Sequence, residues 1–322
     1  MATKFKSSRT LKQSVRRIAR TLIDCGLEKL AVTDPAERDE AVHDVRKSLK
    51  KLRALLRLVR PVTGRRIYQR ENACFRESGR PLAEIRDAKI LIETIDTVVR
   101  GEPLSEEERW AVDELRESLV DRLSALHLEL RHGDVVLTIH GDLAAAWKRV
   151  KNWSDVPERW RTIGRGLEAT YAAAATARQA ASAAGTMESL HEWRKQVRYV
   201  HEQLTFVRFL DRFRVKQLGS QADQINTLLG TTRDLSLLAQ AIETHSTLEV
   251  LPELKSRLIE QVRRKRSEAV EDALRMGEAF FRETPAVWVA AFKQDWKRQR
   301  DFAEGRRRTG DQLVLPFAGR AS

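Results

Sequence analysis

An all-α fold is the class this sequence predicts, and three observations carry the prediction. Apolar residues recur at helical spacing along almost the whole chain, runs alternating with period two are nearly missing, and a motif with a second landmark behind it occurs twice. His43-Asp44-Val45-Arg46-Lys47 returns 148 positions later as His191-Glu192-Trp193-Arg194-Lys195, and Arg86-Asp87 returns as Arg233-Asp234. The interval from His to Arg is 43 residues in one half and 42 in the other. Two landmarks at matched spacing indicate an internal duplication. The expected architecture is therefore two helical bundles related by a pseudo-repeat.

Taken in order, the periodicity predicts helices over about 8–31, 36–60, 64–79, 82–99 and 105–150, the last broken near Gly133 or Gly141. Asp34-Pro35 reads as an N-cap followed by Pro in the first turn, Pro61 and Gly64 as the stop of the second helix, and Gly79-Arg80-Pro81 as the break between the third and fourth. Trp153-Ser154-Asp155-Val156-Pro157 is the expected boundary between a first half of about 8–152 and a second of about 153–304. The second half repeats the order over about 160–184, 187–210, 212–229, 231–245, 251–282 and 286–304. Residues 1–304 thus read as the domain and 305–322 as a flexible tail.

Composition narrows the partner. Lys and Arg number 59 against 46 Asp and Glu, a formal charge of +13, which favours a polyanion such as nucleic acid, inorganic polyphosphate or an anionic surface. Two cysteines, Cys25 and Cys74, make neither a disulfide framework nor a metal spacing. No apolar run approaches a membrane span, and the basic N-terminus lacks the apolar core of a secretory signal, so a cytoplasmic protein without membrane association is expected.

On a helical wheel His43, Arg46, Lys47, Lys50, Arg53 and Arg57 fall within an arc of roughly 120°, opposite Val45, Leu49, Leu52, Leu56 and Val59. The second copy does the same with His191, Arg194, Lys195, Arg198 and His201, backed by Leu190, Trp193, Val197, Val200 and Leu204. Like charges repel, and few acids lie at helical spacing within the arc to relieve them. One such stripe is usually a solvated face; two at the same register point to a ligand. Arg offers a planar fork for phosphate oxygens, Lys a point charge, and His a donor that gains charge beside an anion. A stripe of about 15–20 Å, at about 1.5 Å rise per residue, tracks several successive phosphates.

These stripes, with Leu82-Ala83-Glu84-Ile85-Arg86-Asp87, Leu228-Leu229-Gly230-Thr231-Thr232-Arg233-Asp234 and Gly166-Leu167-Glu168-Ala169-Thr170-Tyr171, resemble the CHAD family, the conserved-histidine α-helical domain, over about residues 8–304. The resemblance implies two four-helix bundles with pseudo-two-fold symmetry around a basic central channel, binding of inorganic polyphosphate, and association with polyphosphate granules. Carried over by position, it makes both stripes the ligand face together with Arg86 and Arg233. Lys89, one turn beyond Arg86, joins them, and Arg122 and Arg266, each three residues before an Ala, are further additions. Asp87 and Asp234 read as carboxylates that orient Arg or cap a helix. The sequence departs from the family at His201 and Thr205, which stand where the first stripe has Arg53 and Arg57, so the second stripe should bind less tightly. Ala172 to Ala175 replace a stretch that is often basic in the family.

Other chemistries fit less well. The two motif histidines sit among Arg and Lys that repel a metal cation, and no metal or other cofactor is expected. Trp110, Trp147, Trp153, Trp160, Trp193, Trp288 and Trp296 read mostly as core rather than as stacking platforms for bases. No Gly-rich phosphate loop, His-Glu-x-x-His or Gly-x-Ser-x-Gly occurs, nor the Glu-x-Glu-x-Lys of triphosphate-hydrolysing tunnel domains, so binding without turnover is the expectation. The rival reading is a nucleic-acid-associated adaptor. In the tail, Gln312-Leu313-Val314-Leu315-Pro316-Phe317 resembles the linear motif by which replication proteins dock on the sliding clamp, against the plainer reading of a strap on the bundle.

Overall fold

The computed structural model describes residues 4–308 apart from 7–8, 35–36, 133 and 154–155. Among these residues the chain forms twelve α-helices, one short 3-10 turn and no strand. The first half contributes α1 (Leu11–Leu30), α2 (Arg38–Thr63), α3 (Arg65–Glu77), α4 (Pro81–Val98), α5 (Glu106–His132) and α6 (Val135–Arg149). The second contributes α7 (Trp160–Ala184), α8 (Met187–Phe206), α9 (Arg212–Thr244), α10 (Ser246–Glu249), α11 (Pro252–Phe280) and α12 (Pro285–Arg308).

Local chemistry starts several of these helices. Thr10 and Gln13 form a reciprocal capping box on α1, Thr186 accepts from the Ser189 N–H at the head of α8, and Asp211 accepts from the N–H groups of Phe213 and Arg214 at α9. Four expectations are corrected. The second helix begins at Arg38 after Glu37, not at 36 with Asp34 as its cap; Pro35 lies outside the described residues. Pro61 does not stop that helix, which runs on to Thr63 because Val59 and Thr63 are buried and only one backbone hydrogen bond is lost so near the end. The two helices expected over 212–229 and 231–245 are the single α9. Finally, α12 carries Gly305 to Arg308, assigned to the tail, as helix. The break in the long 105–150 segment falls between His132 and Val135, around Gly133, which is outside the described residues, whereas Gly141 lies inside α6. The boundary residues 154–155 and Gln312–Phe317 also lie outside them.

What positions the stripes is the packing of α2. Its apolar side fits α1, α3 and α4 of its own half, and it also touches α7 and α8 of the other. Buried side chains of both halves form one continuous core. The approach of α7 is close enough to require glycine: a Cβ on Gly166 would stand 2.0 Å from the Leu58 carbonyl oxygen. Beside it the buried Gln203 amide of α8 donates to the Ala54 carbonyl at 3.3 Å and to Thr170 Oγ1 at 2.9 Å. Tyr171 ties α7 to the end of α11, donating to the Phe280 carbonyl at 3.1 Å while its ring stacks on Trp288. Of the seven tryptophans, Trp153, Trp193, Trp288 and Trp296 are buried and Trp147 and Trp160 pack partly on the core, whereas Trp110 is exposed.

Candidate anion-binding site

The backing residues named for α2 and α8 are all buried, so each helix has its apolar side fixed and its basic side turned away from its own core. Because α2 packs on α8, the two basic sides are not independent. Lys50 of α2 lies within electrostatic reach of Arg194 and Arg198 of α8, and Arg46 of Arg198, with Asp87 the one carboxylate among the strongest influences on Lys50. Arg46 donates to the Gly79 carbonyl at 2.8 Å and Arg198 leans on Asn226 Oδ1 at 3.4 Å. Arg194 presses on α9, where a Cβ on Gly230 would meet its guanidinium at 3.0 Å. A side chain there would make the guanidinium give by a few tenths of an ångström, so this glycine, which costs about 1 kcal/mol relative to Ala in a helix, leaves Arg194 its room.

Charge is crowded here. Burial first, then Arg198, Arg46 and Arg194, push the Lys50 ammonium down to about 6. Burial and then Arg198 lower Arg194 to about 10, which leaves it charged at neutral pH. His43 is held below the ordinary imidazole range by burial and then by Arg86, and His191 by partial desolvation and then by Arg233 and Arg194. Both imidazoles are therefore mostly neutral at pH 7.

The remaining predicted residues hold varied positions. Lys47 is exposed. Arg53 donates to Asn72 Oδ1 at 3.1 Å, and Arg57 lies 4.2 Å over the Tyr199 ring, a cation–π contact that links α2 to α8. Lys195 is paired with Glu192, and His201 Nδ1 lies 3.0 Å from the Gly219 carbonyl oxygen, which requires its N–H. Lys89 is drawn to Asp39 at 3.4 Å, and Arg86 lies 3.7 Å from Glu93 and bears on the Asp234 carboxyl. Arg122 is exposed on α5 and Arg266 half-buried on α11; among the described residues neither bonds to the α2–α8 seam.

Asp87 orients Arg, as its residue type suggested, but the partner belongs to the other half. Arg233 of α9 holds it with two hydrogen bonds, at 2.9 and 2.5 Å, across the α4–α9 contact. Asp234 makes no hydrogen bond through Oδ1, and burial raises its carboxyl despite Arg194 and Arg233 nearby.

Sequence reasoning missed Glu202. It is 9% exposed, its Oε2 has no partner, and Lys51, His201, Arg198 and Lys47 surround it. Eleven residues after His191, about three helical turns, it falls inside the basic arc itself. The second stripe is thus interrupted by an acid where the first has Ala54. Asn72, Asn226 and Tyr199 were missed too, since neutral partners leave no charge signature.

Comparison with known proteins bears on this arrangement. The family model described as CHAD domain matches residues 21–243. No curated protein matches the chain. Among solved structures, PptA from Streptomyces chartreusis shares the fold with a TM-score of 0.56 at 15% identity, covering 82% of this chain and 99% of that one.

Proposed function

This chain belongs to the CHAD family, and on that premise we propose that it binds inorganic polyphosphate along the α2–α8 seam and does not turn it over. The observation that carries the reading is the convergence of Arg46 and Lys50 from one half with Arg194 and Arg198 from the other, while the nearby Asp87 is engaged by Arg233. Three guanidinium forks and an amine brought together from two helices match consecutive phosphates better than a single small phosphometabolite, which needs fewer groups. His43 and His191 flank this centre as donors that charge when the anion arrives. Lys47, open to solvent, and Arg53 and Arg57 extend the track along α2, and association with polyphosphate granules follows from such binding.

The decisive measurement is competition at physiological salt between linear polyphosphate and duplex DNA of matched charge. Preference for polyphosphate by tenfold or more is expected. Equal affinity would sink a dedicated polyphosphate site and favour the nucleic-acid-associated adaptor. Incubation of the purified protein with polyphosphate and nucleotide should leave chain length unchanged; shortening or extension would make it an enzyme. A fluorescent fusion should gather on granules in cells that make polyphosphate and disperse in cells that do not.

A further inference from the structure

Away from the seam, the first acid in the chain is Asp24, and residues 4–20 ahead of it hold seven Lys and Arg. The segment before α1 is tied down by the Phe5 N–H, which donates to the Phe206 carbonyl at 2.9 Å, and by Arg17, which donates to the Lys4 carbonyl at 2.7 Å. Along α1, Arg16 reaches the 3-10 turn Val150–Asn152 and donates to the Lys151 carbonyl at 2.5 Å. One turn on, the Arg20 guanidinium lies 4.4 Å over the Trp147 ring of α6. Lys148, next to Trp147, and Lys151, whose carbonyl Arg16 holds, are both exposed. The fold thus joins the acid-free run of α1 to the basic end of α6.

What sets this face apart is the kind of partner its arginines have. Elsewhere guanidinium groups meet acids: Arg149 holds Glu71, Arg214 holds Asp295 and Arg257 holds Glu108. Arg16 and Arg20 meet carbonyls and an indole, which fix a cation without cancelling its charge. Among the described residues neither they nor Lys148 and Lys151 pair with a carboxylate, although Asp24 lies one turn beyond Arg20. Glu158, which also reaches α1, gives its Oε2 to the Leu11 N–H at 2.6 Å. The seam is built by the same device, with Arg46 on the Gly79 carbonyl, Arg198 on Asn226 and Arg57 over Tyr199. Cations held in place and left unneutralised suit an anion from outside.

We propose that the α1–α6 face is a second polyanion surface, and that its partner is the phosphodiester backbone of a nucleic acid. Two observations choose that backbone. The seam gathers its cations where two helices cross, which suits phosphates joined directly to one another. Here the cations are spread along α1 and across to the end of α6, which suits phosphates that a sugar holds apart. A membrane surface calls for apolar anchors as well as charge, and no large apolar side chain is exposed among the described residues of 4–20 or 147–161. Contacts of this kind follow the backbone, so duplex is bound without sequence preference. The face shares no residue with the seam, and the inference stands apart from the polyphosphate reading.

The test is fluorescence anisotropy of the full chain with a short labelled DNA duplex of mixed sequence at physiological salt. Lys148→Glu with Lys151→Glu reverses charge on exposed side chains and leaves the Arg16 and Arg20 contacts in place, so the fold is spared. Arg16→Gln with Arg20→Gln removes the guanidinium groups themselves. Each pair should weaken duplex binding by about tenfold and flatten its salt dependence, while linear polyphosphate binds within about threefold of wild type. Charge removal at Arg46, Lys47 and Lys50 should do the reverse. With short polyphosphate filling the seam, wild type should still hold the duplex. Duplex affinity unchanged by Lys148→Glu with Lys151→Glu, or lost only in the seam variant, overturns the second surface. So does a wild type that leaves the duplex unbound, or that releases it to one short chain per protein. Binding of anionic lipid vesicles in place of the duplex overturns the choice of partner. Failure of polyphosphate to bind, with the duplex behaving as stated, overturns the polyphosphate reading and leaves this face standing.

Discussion

At Lys50 a half-buried amine lies within electrostatic reach of three guanidinium groups, and the cost of charging it there falls on the folded protein alone. Its folded value, about 6, stands below that of a lysine in an unfolded chain, so folding must expel a proton at neutral pH. The penalty is complete below about pH 6 and disappears as pH rises through the unfolded value. Lys50→Met should therefore raise the melting temperature of the ligand-free protein by several degrees at pH 6, a few kcal/mol in free energy, and by much less at pH 10. Calorimetric melts at the two pH values check this, and an unchanged or lower melting temperature at pH 6 would contradict it. The identity of the cationic residues was legible in the sequence, because a charged arc on a wheel needs only helical spacing. The pressure on Lys50 was not, since two of the three arginines that bear on it, Arg194 and Arg198, lie about 145 positions away. Glu202 was legible in principle, being inside the arc, but its lack of a partner shows only once its neighbours are in place.

Helix contacts set the next level. The crossing of α7 over α2 depends on Gly166, and Gly166→Ala forces a methyl group onto the Leu58 carbonyl, where only backbone can move. A loss of about 3 kcal/mol or more is expected, read as a lower urea midpoint with little change in slope. The Asp87–Arg233 pair joins α4 to α9, and Asp87→Asn should cost about 1–2 kcal/mol while freeing a cation for ligand. At the level of the two stripes, removing charge at Arg46, Lys47 and Lys50 should weaken polyphosphate binding more than removing it at Arg194, Lys195 and Arg198. Lys195 is already paired with Glu192, and Glu202 interrupts the second stripe. Titrations of the two triple variants rank them, and the reverse order would place the stronger face on α8. Most helices were legible from periodicity. Pro61 and Gly230 were misjudged because both look like breakers locally, whereas burial of Val59 and Thr63 beside the first, and of Leu229 and Thr232 beside the second, carries each helix through.

Over the whole molecule, a charge of +13 gives long-range attraction to any polyanion, and salt separates that attraction from fitted contacts. Polyphosphate affinity should fall linearly with the logarithm of salt concentration, with a slope that drops by about one for each seam cation replaced, as counterion release requires. A flat salt response would exclude the seam as the binding face. The Gln312–Phe317 segment makes a separate claim: a peptide of residues 309–320 either binds a bacterial sliding clamp or removes that partner from consideration.

Sequence alone determined the helical class, the two basic stripes with their apolar backing, and the positive sign of the chain's own charge. All three follow from periodicity and composition, which act within a few turns of one chain segment. Tertiary structure alone decided that Lys50 lies within electrostatic reach of Arg194 and Arg198, that Asp87 serves an arginine of the other half, and that one core runs through both halves. Those are contacts between residues far apart in the chain, fixed by which backbones can approach closely enough to exclude water, as at Gly166 and Leu58.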